Sequence, residues 1–304
     1  MIVVHYESAL DDAARRELLY AGDVFLFGPR PSTLALCDFA RGFIEDAFAP
    51  LDPLHAQDEL TPEAYVDLVA PIKPKFIHHA RTKGLIQDLL GDLCCGPDRT
   101  YFDVPRMRVA PHSGYLTAGV AYQFHPHRDT WYSAPLCQLN WWFPLWDIDR
   151  TSTMAFYPRC FDATLPNSSE EFDYYEWNAT GRKDAAKHVT SDSRRQPKIV
   201  GEADLGEEAR FVVPRGGVIV FSGEALHATV PNSSGVARFS IDMRTANLDD
   251  LICGRAAPNG DSNPSGTSLR DFMRVRDMER LPSEVVAAHE RASSHHDGVL
   301  VYQP

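Results

Sequence analysis

Apolar and polar positions change their spacing as the chain proceeds. In "SALDDAARRELLYAG" (residues 8–22) apolar residues recur at helical intervals, behind a capping candidate in Ser8 or Asp11 and ahead of a closing Gly22. "PSTLALCDFARGFIEDAF" (31–48) repeats the pattern behind Ser32 or Thr33. From residue 100 the apolar runs shorten and become aromatic: "TYFDVPRMRVA", "LTAGVAYQF", "CQLNWWFPLWDI", "TMAFYP", "ARFVVP", "GGVIVFSG" and "ARFSIDMRT". Pro, Gly, Ser and Asn separate them, the pattern of short strands in a β-sandwich or jelly roll.

These spacings divide the chain into a mainly helical support (1–98), a strand-rich core (99–246) and a helical or irregular extension (247–304), all in one domain. Within the core, residues 162–209 are too long for a hairpin loop and mix aromatic with charged residues in "NSSEEFDYYEWNATGRKDAAKH". Tyr174, Tyr175 and Trp177 in this insertion either close over a substrate like a lid or pack it onto the core.

Composition narrows the class of protein. A chain of 304 residues, 44% apolar and 24% charged, is ordinary for a folded domain. Its start lacks a basic stretch followed by an apolar one, and no apolar run approaches the roughly 20 residues of a membrane span, so a cytoplasmic location is expected. The sequons at Asn167, Asn178 and Asn232 then count as chance matches, and the six cysteines, which form no CxxC pair, as buried free thiols. A net charge of −12 opposes binding to nucleic acid or an anionic membrane. A small-molecule partner remains, taken by a monomer or homodimer.

The candidate chemistry lies in "YQFHPHRDTWY" (122–132), where His125, His127 and Asp129 alternate. Alternate residues of a strand share a face, but at about 3.3 Å per residue His125 and Asp129 lie roughly 13 Å apart on a straight strand. All three meet one ion only if the chain bends. Three metal patterns are close. HxHxDH fails at Thr130, and a cupin-type HxH lacks a Glu where Trp131 and Tyr132 stand. A facial triad of two His and one carboxylate needs HxD and a distant His, and His227 follows the apolar run "GGVIVFSG", with Arg238 eleven residues later.

This ordered set, HxD at 127–129, "TMAFYP" at 153–158, His227 and Arg-x-Ser at 238–240, resembles the Fe(II)- and 2-oxoglutarate-dependent oxygenases, especially their phytanoyl-CoA dioxygenase-like branch. The resemblance covers about residues 100 to 246. It implies a double-stranded β-helix core of the jelly-roll, cupin-like kind, mainly β with flanking helices. It also implies His127, Asp129 and His227 as iron ligands and Arg238 as a bidentate partner for the distal carboxylate of 2-oxoglutarate. On the same resemblance, Ser240 and Thr229 are expected to support that carboxylate and Asn140 and Trp142 to line the co-substrate pocket, with O2 at the remaining position.

The implied reaction hydroxylates an unactivated C–H bond of a small metabolite or natural-product intermediate, releasing succinate and CO2. Desaturation, epimerisation and cyclisation start from the same iron site, and a non-catalytic jelly-roll binder is the reading from another class. Related halogenases replace the carboxylate ligand with a small residue, so Asp129 argues against halogenation. Substrate contacts are expected from His125, Arg106, Arg108, Trp131, Tyr174 and Trp177. Of two further histidine clusters, the tail set His295, His296 and Asp297 could bind metal in isolation, against a mobile chain end as the plainer expectation, and His78-His79 has no partner visible in the sequence.

Overall fold

The computed structural model describes residues 2–258 and 260–293, so the tail set at 295–297 lies outside the described residues. Strands β1 (Val4–Tyr6) and β2 (Val24–Phe27) flank helix α1 (Asp12–Tyr20). Asp11 caps α1 by accepting the Ala14 N–H at 2.8 Å. Helix α2 (Pro31–Phe48) starts one residue ahead of the expected caps. Pro31 lacks an N–H to leave unpaired at this position, and Thr33, inside the first turn, accepts the N–H of Arg30 through Oγ1. Helices α3 (Pro62–His78) and α4 (Ala80–Asp92) follow, and His79 caps the second by accepting the Arg81 N–H through Nδ1. The His78-His79 pair is thus a helix junction.

The core strands are β3 (Thr100–Phe102), β4 (Arg106–Ala110), β5 (Leu139–Pro144), β6 (Met154–Phe156), β7 (Ala209–Arg210), β8 (Val218–Ser222), β9 (His227–Thr229), β10 (Arg238–Asn247) and β11 (Met273–Arg274). Eight form one sheet in the order β1-β2-β8-β5-β10-β3-β11, with β4 also paired to β10; three form a second sheet, β7-β6-β9. Apart from the β1–β2 pair, the neighbours are antiparallel. Phe156 of the small sheet packs edge-on against Phe221 of the large one at 4.9 Å, in a cluster with Trp142, Met154 and Ile219. The two sheets therefore face each other across a shared interior, the jelly-roll arrangement.

Strand β10 explains why the large sheet has one apolar and one polar face. Its odd positions Phe239, Ile241 and Met243 join the main core with residues of α2, α3 and α4. Its even positions Arg238, Ser240, Asp242 and Arg244 point to the other face, because successive side chains of a strand alternate. Register places Arg106 and Trp142 beside Asp242, Arg108 beside Ser240, and Asn140 beside Arg244. A polar row thus runs across the inner face, opposite the small sheet.

One expected strand is absent. "LTAGVAYQF" forms a single tight turn at Gly119–Ala121 and an extended stretch. Gly119 has φ +57°, and a Cβ there would lie 2.2 Å from the carbonyl oxygens of both Ala185 and His188, so the segment is pressed against the 162–209 insertion instead of entering a sheet. The six cysteines are free; Cys37, Cys95, Cys137 and Cys160 are buried, whereas Cys94 and Cys253 are exposed, contrary to the expected burial. Among the described residues no helix is long and apolar enough to cross a membrane.

Candidate metal centre and its cavity

The HxD stretch is not a strand. His127 makes one reciprocal backbone pair with His227, each N–H donating to the other's carbonyl at 3.0 Å. The chain then bends, and Asp129 opens a 3-10 turn (Asp129–Tyr132) whose first N–H donates to Gly223 at 2.9 Å. Arg128, between the two ligand candidates, points the opposite way and is 1% exposed. Its guanidinium donates to the carbonyls of Cys160 (2.6 Å), Ala163 (2.7 Å) and Glu224 (2.5 Å), and lies 3.1 Å from the Glu224 carboxylate and 3.3 Å from that of Asp261. This buried anchor holds the bend. Thr130, the residue that breaks HxHxDH, belongs to the same knot, donating to Glu224 at 2.8 Å. Burial outweighs Arg128 and Thr130 and pushes the Glu224 carboxyl up to about 7.

His127, Asp129 and His227 are all buried, and one ligand atom from each lies within 4.8 Å of the others. Asp129 Oδ1 is 3.5 Å from His127 Nε2 and 4.0 Å from His227 Nε2. Donors bound roughly 2.1 Å from one ion lie roughly 3 to 4 Å apart, so the set fits a single metal. Both imidazoles are oriented by their far nitrogens, with Nδ1 of His127 on the carbonyl of His125 (2.8 Å) and Nδ1 of His227 on that of Ala225 (3.0 Å). With Nδ1 donating, Nε2 carries the lone pair and faces the site. Burial, then the neighbouring His127, pushes His227 down to about 4, which keeps it neutral and able to ligate. Burial alone raises the Asp129 carboxyl, but the neighbouring His127 and His227, with Arg106 beyond them, carry its pKa below the ordinary value.

The second oxygen of Asp129 is held from behind by two donors, Arg244 Nε at 3.0 Å and Gln138 Nε2 at 3.1 Å. Sequence reasoning missed both. Arg244 and Asp242 stand on the same period-two face as Arg238, and Gln138 on that of Asn140 and Trp142, so the alternation that identified the strands also contained them. Two imidazoles and a carboxylate on one side of an ion, with no fourth ligand grouped with them among the described residues, leave coordination positions open.

These positions open into a cavity of about 620 Å³. Arg238, Thr229, Asn140 and Trp142 line it, and Ser240, two residues along β10, is fully buried just behind the wall. Arg238 donates to the carbonyls of Ser152 (3.1 Å) and Thr153 (3.3 Å), its guanidinium lies 5.5 Å from the Trp142 ring centre, and its Nε is buried without an acceptor. No carboxylate pairs with it among the described residues. Burial, then Arg108, lowers it to about 10, so it is a desolvated cation in need of an anion. The Ser240 hydroxyl is also without a partner. Thr229 Oγ1 accepts the Phe124 N–H at 3.3 Å.

The expected substrate contacts divide. Arg106, Arg108, Tyr174 and Trp177 line the cavity, but Arg106 is paired with Asp103 (2.6 Å) and Arg108 with both oxygens of Asp242 (2.6 and 3.2 Å), and Tyr174 donates to Asp271 at 2.5 Å. His125 is exposed and outside the cavity wall; its contribution is the backbone carbonyl that orients His127. Trp131 is 0% exposed and outside the wall too, donating from Nε1 to Asp261 at 2.7 Å, because the bend at Asp129 turns it into the support. Tyr175, buried against Gly266, also faces away. The cavity walls that the sequence did not reveal come from α3 and the insertion: Lys73, Arg182, Arg194 and Gln196.

No family model matches the chain, and no curated protein matches it. Solved structures are similar over most of its length. The non-heme monooxygenase ThoJ, in its apo form, is 15% identical, with 83% of this chain and 78% of that one covered and a TM-score of 0.41. EvdO2 from Micromonospora carbonacea var. aurantiaca, complexed with 2-oxoglutarate, is 13% identical over 79% and 92%, with a TM-score of 0.44. The non-heme alpha ketoglutarate dependent epimerase SnoN from nogalamycin biosynthesis is 15% identical over 87% and 100%, with a TM-score of 0.37. At such identities and scores the chemistry rests on the side chains of this chain alone.

Proposed function

We propose that this chain is an Fe(II)- and 2-oxoglutarate-dependent oxygenase of the phytanoyl-CoA dioxygenase-like kind, hydroxylating an unactivated C–H bond of a small metabolite or natural-product intermediate. The observation that carries the reading is the pairing of an open His-Asp-His cluster with a buried, carboxylate-free Arg238 on one cavity wall. His127, Asp129 and His227 would hold the iron on one face. Arg238 would take the distal carboxylate of 2-oxoglutarate through its planar fork, with Ser240 and Thr229 beside it. Bound iron and 2-oxoglutarate supply the oxidising power, with succinate and CO2 as co-products.

The protein's own part is placement and exclusion of water. Backbone carbonyls fix both imidazoles, Arg244 and Gln138 fix the carboxylate, and Phe221 and Phe156 pack on His227 at 5.0 and 6.1 Å, so the ligating edge meets the cavity and little else. The 162–209 insertion closes the far side, as Tyr174, Trp177, Arg182 and Arg194 in the wall support. The test is direct: load the full chain anaerobically with Fe(II), add 2-oxoglutarate and oxygen, and measure succinate, with Mn(II)-dependent 2-oxoglutarate binding by calorimetry alongside. Binding that requires His127 and Arg238, with succinate formed, is expected. Absence of both binding and succinate would overturn the proposal.

A further inference from the structure

The cavity is larger than its inner end requires. Pockets that enclose a drug-sized ligand measure roughly 300–1,000 Å³, and at about 620 Å³ this one falls within that range, its wall extending from Arg238 to α3 and the insertion. The outer wall has a chemical character of its own. Lys73 from α3, Arg108 from β4 and Arg194 from the insertion all line it. Lys73 Nζ donates to the carbonyl of Val120 (2.5 Å) and Arg194 Nη2 to that of Gly119 (3.2 Å), so consecutive peptide groups bring the two cations to one patch.

Two of the three cations are already matched. Arg108 grips both oxygens of Asp242, and Arg194 grips Asp192 through Nε (2.8 Å) and Nη2 (2.5 Å). Asp242 also receives Arg244, at 3.1 Å. Lys73 has no carboxylate at ion-pair distance among the described residues. Burial and repulsion from Arg108 and Arg194 outweigh Asp242 and push its amine down to about 7. With Lys73 protonated the patch holds three cations against two carboxylates, inside a chain whose net charge is −12. One ammonium proton is spent on Val120 and two are available.

Two more groups in the wall are unfilled. Both side-chain polar atoms of Gln196 are buried without a partner, as is Arg182 Nη1. Buried polar groups in folded proteins are nearly always hydrogen bonded, so unpaired ones facing a cavity mark where a ligand's polar atoms belong. Around them the surface is aromatic: the Arg194 guanidinium lies 5.3 Å from the Trp177 ring centre and 6.0 Å from that of Tyr122. The wall suits a body with an apolar face and a charged end.

We infer that Lys73 is the anchor of a substrate subsite for an oxyanion, a carboxylate or a phosphate monoester, separate from the carboxylate position at Arg238. The inference rests on the reading of this cavity as the substrate chamber, but its test needs neither metal nor turnover. Metal-stripped full-length protein is titrated by calorimetry with benzoate, phenyl phosphate and neutral benzamide. At least one charged probe should bind at least about tenfold more tightly than benzamide, and the tighter of the two identifies carboxylate or phosphate as the natural group. Lys73→Met should weaken that binding about tenfold or more, whereas Lys73→Arg, which keeps the charge, should restore it to within about threefold. Arg238→Met should leave probe binding intact while abolishing Mn(II)-dependent 2-oxoglutarate binding. Affinity for both benzoate and phenyl phosphate no greater than for benzamide, indifference to Lys73→Met, or loss of the probes in Arg238→Met would each overturn the subsite. If Lys73→Met does not fold, Lys73→Gln carries the same comparison. Failure of 2-oxoglutarate to bind the unaltered protein would count against the oxygenase reading alone, since the probe titration stands without it.

Discussion

Gln138→Leu tests whether the metal site is held from behind. Gln138 Nε2 lies 3.1 Å from Asp129 Oδ2 and 2.9 Å from Asn140 Oδ1, while Arg244 Nε approaches the same Asp129 oxygen at 3.0 Å. Leucine is similar in size and apolar, so the change removes the donor while keeping most of the packing. A hydrogen bond to a charged acceptor contributes about 1.5–3 kcal/mol. With Arg244 still in place the smaller value applies, and about 1.4 kcal/mol corresponds to a tenfold loss of metal affinity, at the lower edge of the 10–100-fold usual for such supporting contacts. The assay is anaerobic titration with Mn(II) against a chromophoric chelator, on protein whose fold is verified by circular dichroism. Asn140→Leu is the control, since it breaks the Gln138–Asn140 bond without touching Asp129 and should leave affinity unchanged. A folded Gln138→Leu protein with affinity within about twofold of the parent would refute the argument that a fixed carboxylate is part of the site.

Three further outcomes follow from the same geometry. His127→Ala should abolish metal binding, whereas His125→Ala should spare it in the same titration, because His125 contributes only its backbone carbonyl. Trp131→Phe should lower stability by about 1–3 kcal/mol in urea denaturation, from the buried hydrogen bond to the Asp261 carboxylate that it removes, with metal affinity unchanged. Glu224, raised from 4.5 to about 7, binds its proton more tightly folded than unfolded. Its contribution to stability is therefore fully present below about 4.5 and lost as pH rises through about 7, a span of about 3 kcal/mol. Glu224→Gln should flatten that decline in urea titrations between these pH values; an unchanged slope would refute it.

The strand-rich core and the His127-Asp129-His227 cluster were legible because each depends on local pattern or residue type. β5, β6, β8 and β10 fall within apolar-aromatic runs bounded by turn residues, and His227, after one such run and eleven residues before Arg238, offered a distant partner for the HxD pair. The failures were of long range. "LTAGVAYQF" has strand composition, but Gly119 meets carbonyls more than sixty residues away. Trp131 looked like a pocket residue beside the ligands until Arg128, buried among carbonyls at 160, 163 and 224, turned the chain. His125 shares the period of His127 and Asp129 but faces solvent, because the stretch is not a regular strand.

By itself the amino-acid order determined which residue types were available and which face of each strand they shared. Side chains alternate along a strand whatever lies around it, so Arg238, Ser240, Asp242 and Arg244 had to stand on one side and Phe239, Ile241 and Met243 on the other. Which of those sides became a cavity was decided only in three dimensions, by α2–α4 covering the apolar face and the small sheet roofing the polar one. The same holds for the charges. Lys73 in α3 is an ordinary helix lysine in the sequence, and it becomes an unpaired cation in a cavity only because folding brings Arg108 and Arg194 beside it without a carboxylate of its own. Such neighbours are separated by tens of residues, and no local pattern encodes the contacts that join them.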